Sequence, residues 1–294
     1  MMPLIEICDL TKDYGNGRGI FDINLTIEEG EVFGFVGTNG AGKTTTIRHL
    51  MGFLKPDRGR VTVAGLDAWK HAAEIKKKVG YVPGEIAFPD ARTGTEFLRR
   101  QAELLGVEVL SYAESIIDRL QLDPTAHLKR MSKGMKQKTA IVASLLADAE
   151  ILILDEPTTG LDPLMRREYL SILAEQKEKG KTIFMSSHLF EEVEELCDKV
   201  ALIKDGKLID IKATKDIKHH ADKVYTITFA TADDFVKFLA EPFAFKGKDA
   251  GRNEVQVQVN DRDINRLFQV LKNYRLQSFS ENKYTLEQYF NNFY

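Results

Sequence analysis

Eight consecutive residues, Gly37-Thr38-Asn39-Gly40-Ala41-Gly42-Lys43-Thr44, meet the G-x-x-x-x-G-K-[ST] spacing of a phosphate-binding loop. Glycines without Cβ let backbone N–H groups turn toward phosphate oxygens, and a helix beginning at the end of the loop adds its partial positive charge. Lys43 brings a point charge suited to β and γ phosphates, and the Thr44 hydroxyl is placed to ligate Mg2+. With Thr45 completing the run, the pattern predicts a nucleoside triphosphate as ligand.

Further along, Asp155-Glu156 closes the apolar run Ile151-Leu152-Ile153-Leu154. Such a run reads as a central parallel strand, and ligands of open α/β sheets gather at the carboxyl ends of strands. Asp155 suits a Mg2+-holding acid there, and Glu156 a base that orients or deprotonates water. Thr182-Ile183-Phe184-Met185 reads as a second buried strand, placing Ser186-Ser187-His188 at the same kind of edge. Ser132, ahead of the periodic segment Thr139 to Ala147, is a helix N-cap candidate. With Gly134 and the helix dipole it makes an anion site.

The elements that must hold these residues are legible around them. Val32, Phe33, Phe35 and Val36 form a buried strand before the loop, and Thr45 to Leu50 continues as a helix. Residues before position 30 alternate like strands with a turn at Gly15 to Gly19, and another strand falls around Arg60 to Ala64. From about Arg92 to Ala147 the pattern is helical, and Ser111-Tyr112-Ala113-Glu114 predicts a capping box opening a helix with Ile116, Ile117 and Leu120.

Bulk properties narrow the classes. The chain has 294 residues, 43% of them hydrophobic, enough for one large α/β core and a small second domain. Its net charge of −3 carries no polyanion signature, so nucleic acid is not an expected partner. Cys8 and Cys197 stand far apart, which suggests a reducing compartment and no zinc site. Asp148 and Glu150 interrupt the longest apolar stretch, Ala140 to Leu154, so no membrane span is expected. Met1 to Glu6 does not read as a signal peptide.

In combination, the phosphate loop, Met131-Ser132-Lys133-Gly134-Met135-Lys136-Gln137 and Asp155-Glu156 resemble the ATP-binding cassette family from residue 4 to about 210. The resemblance implies an α/β P-loop NTPase cassette core with an antiparallel β subdomain and a helical subdomain over about 92–148. The core resumes at Ile151 and runs to about Asp210, the domain as a whole covering 1–215. It implies ATP and Mg2+ as cofactors, with Gly37 through Thr45 on the nucleotide. Ser132 and Gly134 would cap the γ-phosphate of ATP bound to an opposite subunit. Thr159-Gly160-Leu161-Asp162 resembles the family's D-loop, whose aspartate couples two sites of a dimer. His188 resembles the switch histidine at the γ-phosphate, and Tyr14 the aromatic that stacks on adenine. Two positions depart from the family. Gly84, in Tyr81-Val82-Pro83-Gly84-Glu85, replaces a glutamine that touches Mg2+ and water, and Lys133 replaces a signature glycine. The function implied is an ATP-hydrolysing subunit powering transport, export above import, through a separate integral membrane subunit. It would pair with a second cassette, identical or not, on the cytoplasmic face of the membrane. A nucleotide-dependent switch or sensor is the alternative. The coiled coils of chromosome-acting cassettes are missing, and so are the paired cassettes and basic segments of ribosome-acting ones.

Residues 216–294 form a separate pattern. Tyr225, Ile227 and Phe229, and Val255, Val257 and Val259, alternate as strands; Ile264, Leu267, Phe268 and Leu271, and Leu286, Tyr289, Phe290 and Phe293, follow helical spacing. A small C-terminal α+β domain is expected, with a dimerisation or regulatory role.

Overall fold

The computed structural model describes residues 3–218, 222–282, 284–291 and 293; Met1 and Met2, where the amino-terminal reading began, lie outside them. Strands β1 (Ile5–Asp13) and β2 (Gly19–Ile27) form an antiparallel hairpin with irregular register, and Ile23, Leu25 and Ile27 of β2 alternate as buried residues. After β3 (Val32–Val36) and helix α1 (Lys43–Leu50), β4 (Arg58–Val63) and β5 (Leu66–Asp67) add to the hairpin in the order β2-β1-β4-β5.

The second sheet holds the strands that flank the predicted site residues. It contains β3, β6 (Val79–Val82), β7 (Ile151–Asp155), β8 (Thr182–Ser187), β9 (Lys199–Lys204) and β10 (Lys207–Ala213), in the order β10-β9-β3-β8-β7-β6. All of its pairings are parallel except that of β9 with β10. Every residue of β3, β7 and β8 is buried, which is why Val32 to Val36, Ile151 to Leu154 and Ile183 to Met185 read as apolar runs. Their parallel register brings the loop after β3, Asp155 and the segment after Ser187 to one edge. The predicted end of the core near Asp210 falls inside β10, which continues to Ala213 to complete its pairing with β9.

The connecting helices are α2 (Ala72–Lys78), α3 (Gly94–Leu105), α4 (Ser111–Arg119), α5 (Lys133–Leu145), α6 (Pro163–Glu178) and α7 (Phe190–Leu196). Thr93 caps α3 by accepting from the Glu96 N–H. The capping box expected at Ser111 does not form. Leu110 occupies the N-cap without a side-chain hydrogen bond, and Ser111 is already helical. The buried faces of Ala113 and Ile116 set where α4 starts, and the cap yields to them.

The described chain divides into two compact units after Thr214, with α8 (Thr214–Lys218) as the connecting segment. The second unit runs β11 (Asp222–Phe229), α9 (Ala232–Phe238), β12 (Ala244–Asp249), β13 (Glu254–Asn260), α10 (Ile264–Leu271), β14 (Leu276–Asn282) and α11 (Leu286–Asn291). Its antiparallel sheet has the order β12-β13-β11-β14, a split β-α-β arrangement. Tyr225, Ile227, Phe229 and the three valines of β13 pack with Phe235, Phe238, Leu267 and Leu271. Phe268 shares the spacing of that helical face but is half exposed, its ring 5.5 Å from that of Phe279 on β14. Leu286 and Phe290 are buried, whereas Phe293 falls in a turn beyond α11.

Candidate functional site

Helix α1 starts directly from the phosphate loop because Gly42 ends that loop at φ 113°, where a Cβ would meet Ile20 Cγ2 at 2.6 Å. No acidic residue occupies its first turn, so the positive end of the dipole is left uncompensated toward the loop. Lys43 is 6% exposed. Its Nζ donates to the carbonyls of Gly37 at 2.6 Å and Thr38 at 3.1 Å, and pairs with Glu156 Oε1 at 3.1 Å.

Asp155 and Glu156 are placed by Ser186, which the sequence sets at the same strand edge without indicating this role. The Ser186 hydroxyl donates to Asp155 Oδ1 at 2.7 Å and accepts from the Glu156 N–H at 2.9 Å, joining the ends of β7 and β8. Glu156 adopts φ 50°, a conformation uncommon for a residue with a side chain, and its Oε2 lies 2.5 Å from His188 Nδ1. Burial pushes the Asp155 carboxyl above the usual carboxylate range; hydrogen bonds from Ser186 and Thr44 oppose that push, and the Glu156 charge adds to it. The Tyr81 phenol is pushed up to about 12, first by burial and then by Asp155.

Asp155 Oδ2 is buried and has no hydrogen-bond partner, while the Thr44 hydroxyl reaches the same carboxylate. A buried orphan carboxylate oxygen beside a hydroxyl fits a hard divalent cation. Gly84 closes over the same oxygen: a Cβ there would lie 2.8 Å from Oδ2.

A cleft of about 500 Å3 opens beside these groups, lined in part by Tyr14, Asn39, Gly40, Thr45 and Glu156. Tyr14 is half exposed on the turn between β1 and β2. Arg18, Asp205 and Gly206 also line the cleft and were not anticipated. Asp205-Gly206 reads in sequence as an ordinary hairpin turn, yet the Gly206 N–H donates to the Ala41 carbonyl at 3.0 Å, holding that turn on the phosphate loop.

Ser132, Gly134 and Asp162 do not line this cleft. Ser132 caps α5 by accepting from the Met135 N–H at 3.2 Å, and Asp162 caps α6 through the Leu164 and Met165 N–H groups. A Cβ on Gly134 would stand 2.9 Å from the Gly160 carbonyl oxygen, and the Lys133 side chain lies over Gly160. The two segments thus pack on each other within one chain.

A family model described as ABC transporter matches residues 20–159. The bacitracin transport ATP-binding protein BcrA of Bacillus licheniformis is 37% identical over 71% of this chain and 70% of its own length. The chain belongs to the ABC transporter family. The linearmycin resistance ATP-binding protein LnrL of Bacillus subtilis (strain 168) is 35% identical, over 73% of this chain and 70% of its own. A solved ATP-binding subunit of an ABC transporter superposes with TM-score 0.67 at 30% identity, covering 73% of this chain and 92% of that one. The protein is therefore an ATP-binding cassette subunit that powers transport, on the P-loop NTPase fold expected of it. Among the described residues no helix is long and apolar enough to cross a membrane.

Proposed function

We propose that this cassette hydrolyses Mg2+-ATP in the cleft beside Lys43 and drives export through a separate membrane subunit. The observation that supports this most is the convergence of Lys43, Glu156 and His188, two contacts that bring a cation, a carboxylate and an imidazole together. The loop Gly37 to Thr45 would hold the triphosphate, Lys43 its β and γ phosphates, and Tyr14 the adenine. Thr44 and Asp155 would hold Mg2+, which when bound neutralises phosphate charge. Glu156 orients the attacking water and accepts its proton, with His188 at the γ-phosphate. Ser132, Gly134 and Asp162 would act on the nucleotide of a second cassette across a dimer, their helix-capping roles being compatible with an exposed anion site.

The membrane partner would dock on residues 92–148 and the sheet edge. An apolar cleft of about 250 Å3, lined by Phe53, Tyr81, Phe88, Phe97 and Leu105, supports this placement. Docked in this way, the chain would lie on the cytoplasmic face of a membrane. Export is favoured by the names of the bacitracin and linearmycin relatives. Residues 1–215 would be the cassette and 216–294 an accessory domain.

The deciding experiment is Glu156→Gln, which keeps shape but removes the base. ATP should bind and persist, and light scattering should show an ATP-dependent dimer that dissociates with ADP. Adding Ser132→Arg should abolish the dimer but not single-chain binding. Normal turnover by Glu156→Gln would remove Glu156 from the mechanism, and unchanged hydrolysis by Lys43→Ala would defeat the whole assignment.

A further inference from the structure

Helix α7 is written Phe190-Glu191-Glu192-Val193-Glu194-Glu195-Leu196, an acidic run that reads as a solvated face. Glu192 breaks that reading. It shares the buried side of α7 with Val193 and Leu196 and is 3% exposed. Its Oε2 accepts from two hydroxyls, Thr158 at 2.9 Å and Ser187 at 3.2 Å, both themselves buried. Its Oε1 lies 3.3 Å from Arg166 Nε as an ion pair without hydrogen-bond alignment. The Tyr169 hydroxyl, fully buried and close enough for its ionisation to be opposed by the Glu192 charge, has no hydrogen-bond partner.

This cluster is poorly explained as a device for stability. Burying a carboxylate is costly, and packed apolar residues commonly replace such groups with no loss. Burial pushes the Glu192 carboxyl upward, with the two hydroxyls and Arg166 only opposing it. The connections suggest a different use. Thr158 lies two residues beyond Glu156, in a turn closed by the Thr159 N–H on the Glu156 carbonyl and the Leu161 N–H on Thr158. Ser187 immediately precedes His188, and Arg166 stands in the first turn of α6 just past its cap, Asp162.

We propose that Glu192 is a positioning residue for ATP hydrolysis. It ties the turn after Glu156 and the segment bearing His188 to one carboxylate, so that base and histidine keep their spacing when either loop moves. It touches neither cleft nor phosphate loop and acts through Thr158 and Ser187. The inference rests on the proposed reading that Glu156 and His188 serve hydrolysis.

The test is steady-state ATP hydrolysis by the full-length chain. Glu192→Ala should lower kcat by about tenfold or more while KM for ATP stays within about twofold, the split expected when positioning rather than binding is lost. Glu192→Gln, which keeps an oxygen for both hydroxyls, should recover most of that loss. Thr158→Val and Ser187→Ala should each lower kcat, and their double variant should fall short of the product of the two, because both hydroxyls converge on one atom. A folded Glu192→Ala chain with kcat within about twofold of the parent overturns the proposal, as does a rise in KM at constant kcat. Should Glu192→Ala fail to fold, the two hydroxyl variants decide: wild-type kcat in both overturns it. Lys43→Ala serves as the control in the same assay. If hydrolysis survives it, the reading of the site fails; if hydrolysis is lost, a negative result at Glu192 counts against the positioning role alone.

Discussion

Unit one buries Lys43, His49, Asp155, Lys181 and Glu192 together with a set of hydroxyls and amides, whereas the carboxyl-terminal unit, among its described residues, buries only apolar and aromatic side chains. The second unit follows the ordinary economy of a small domain, with alternating strands and amphipathic helices closing over an apolar core. The first departs from it wherever its sheet meets the cleft. Buried polar groups cost free energy unless each finds a partner, so their concentration in one unit marks the part of the chain selected for chemistry as well as for folding.

The comparison can be broken first at the centre of the second unit. Phe238 is fully buried, with the rings of Phe229 at 5.0 Å, Tyr274 at 5.3 Å and Phe243 at 5.7 Å around it. Phe238→Ala should destabilise that unit by about 3–5 kcal/mol. Calorimetry should show a transition moved well down while ATP binding survives; loss of nucleotide binding would mean that the two units do not divide their labour.

Next in size is Gly84→Gln. A side chain there must displace Asp155 or its own loop, so kcat/KM for ATP should fall about tenfold, roughly 1.4 kcal/mol, and Mn2+ affinity measured by spin resonance should weaken. Faster hydrolysis would instead make Gly84 a lost ligand rather than a close-packed glycine.

The smallest effect concerns Asp155 itself. Its carboxyl titrates above its ordinary value of 3.8 because burial disfavours the charged form. The folded chain therefore holds that proton more tightly than the unfolded one, and the associated stability is present at low pH and lost as pH rises through the folded value. At neutral pH without nucleotide, Asp155→Asn should melt higher, on the order of a few degrees, and the gain should shrink as pH approaches the ordinary carboxylate range. An unchanged or lower melting point would show that Ser186 and Thr44 already offset the burial.

Where sequence and structure agree, the signal was local. The phosphate loop lies between a strand and a helix that announce themselves, Ser132 sits at its helix start, and the period-two runs of β11 and β13 place their own faces. What escaped was set by distance along the chain. Ser186 reaches Asp155 from 31 residues away, and Glu192 reaches Thr158 from 34. No periodicity carries such pairings; only the parallel register of β7 and β8 creates the first. Ser111 failed for the opposite reason, since a strong local cap signal lost to the burial of Ala113 and Ile116.

The backbone of Glu156 has a consequence for anyone selecting variants. A residue with a Cβ held at φ 50° sacrifices on the order of 1 kcal/mol that glycine would not. If Glu156 is the proposed base, selection for heat resistance alone would favour glycine here only as far as this strain outweighs the lost pairs with Lys43 and His188, while selection for turnover would hold the glutamate whatever the strain. Position 156 is where those two pressures separate.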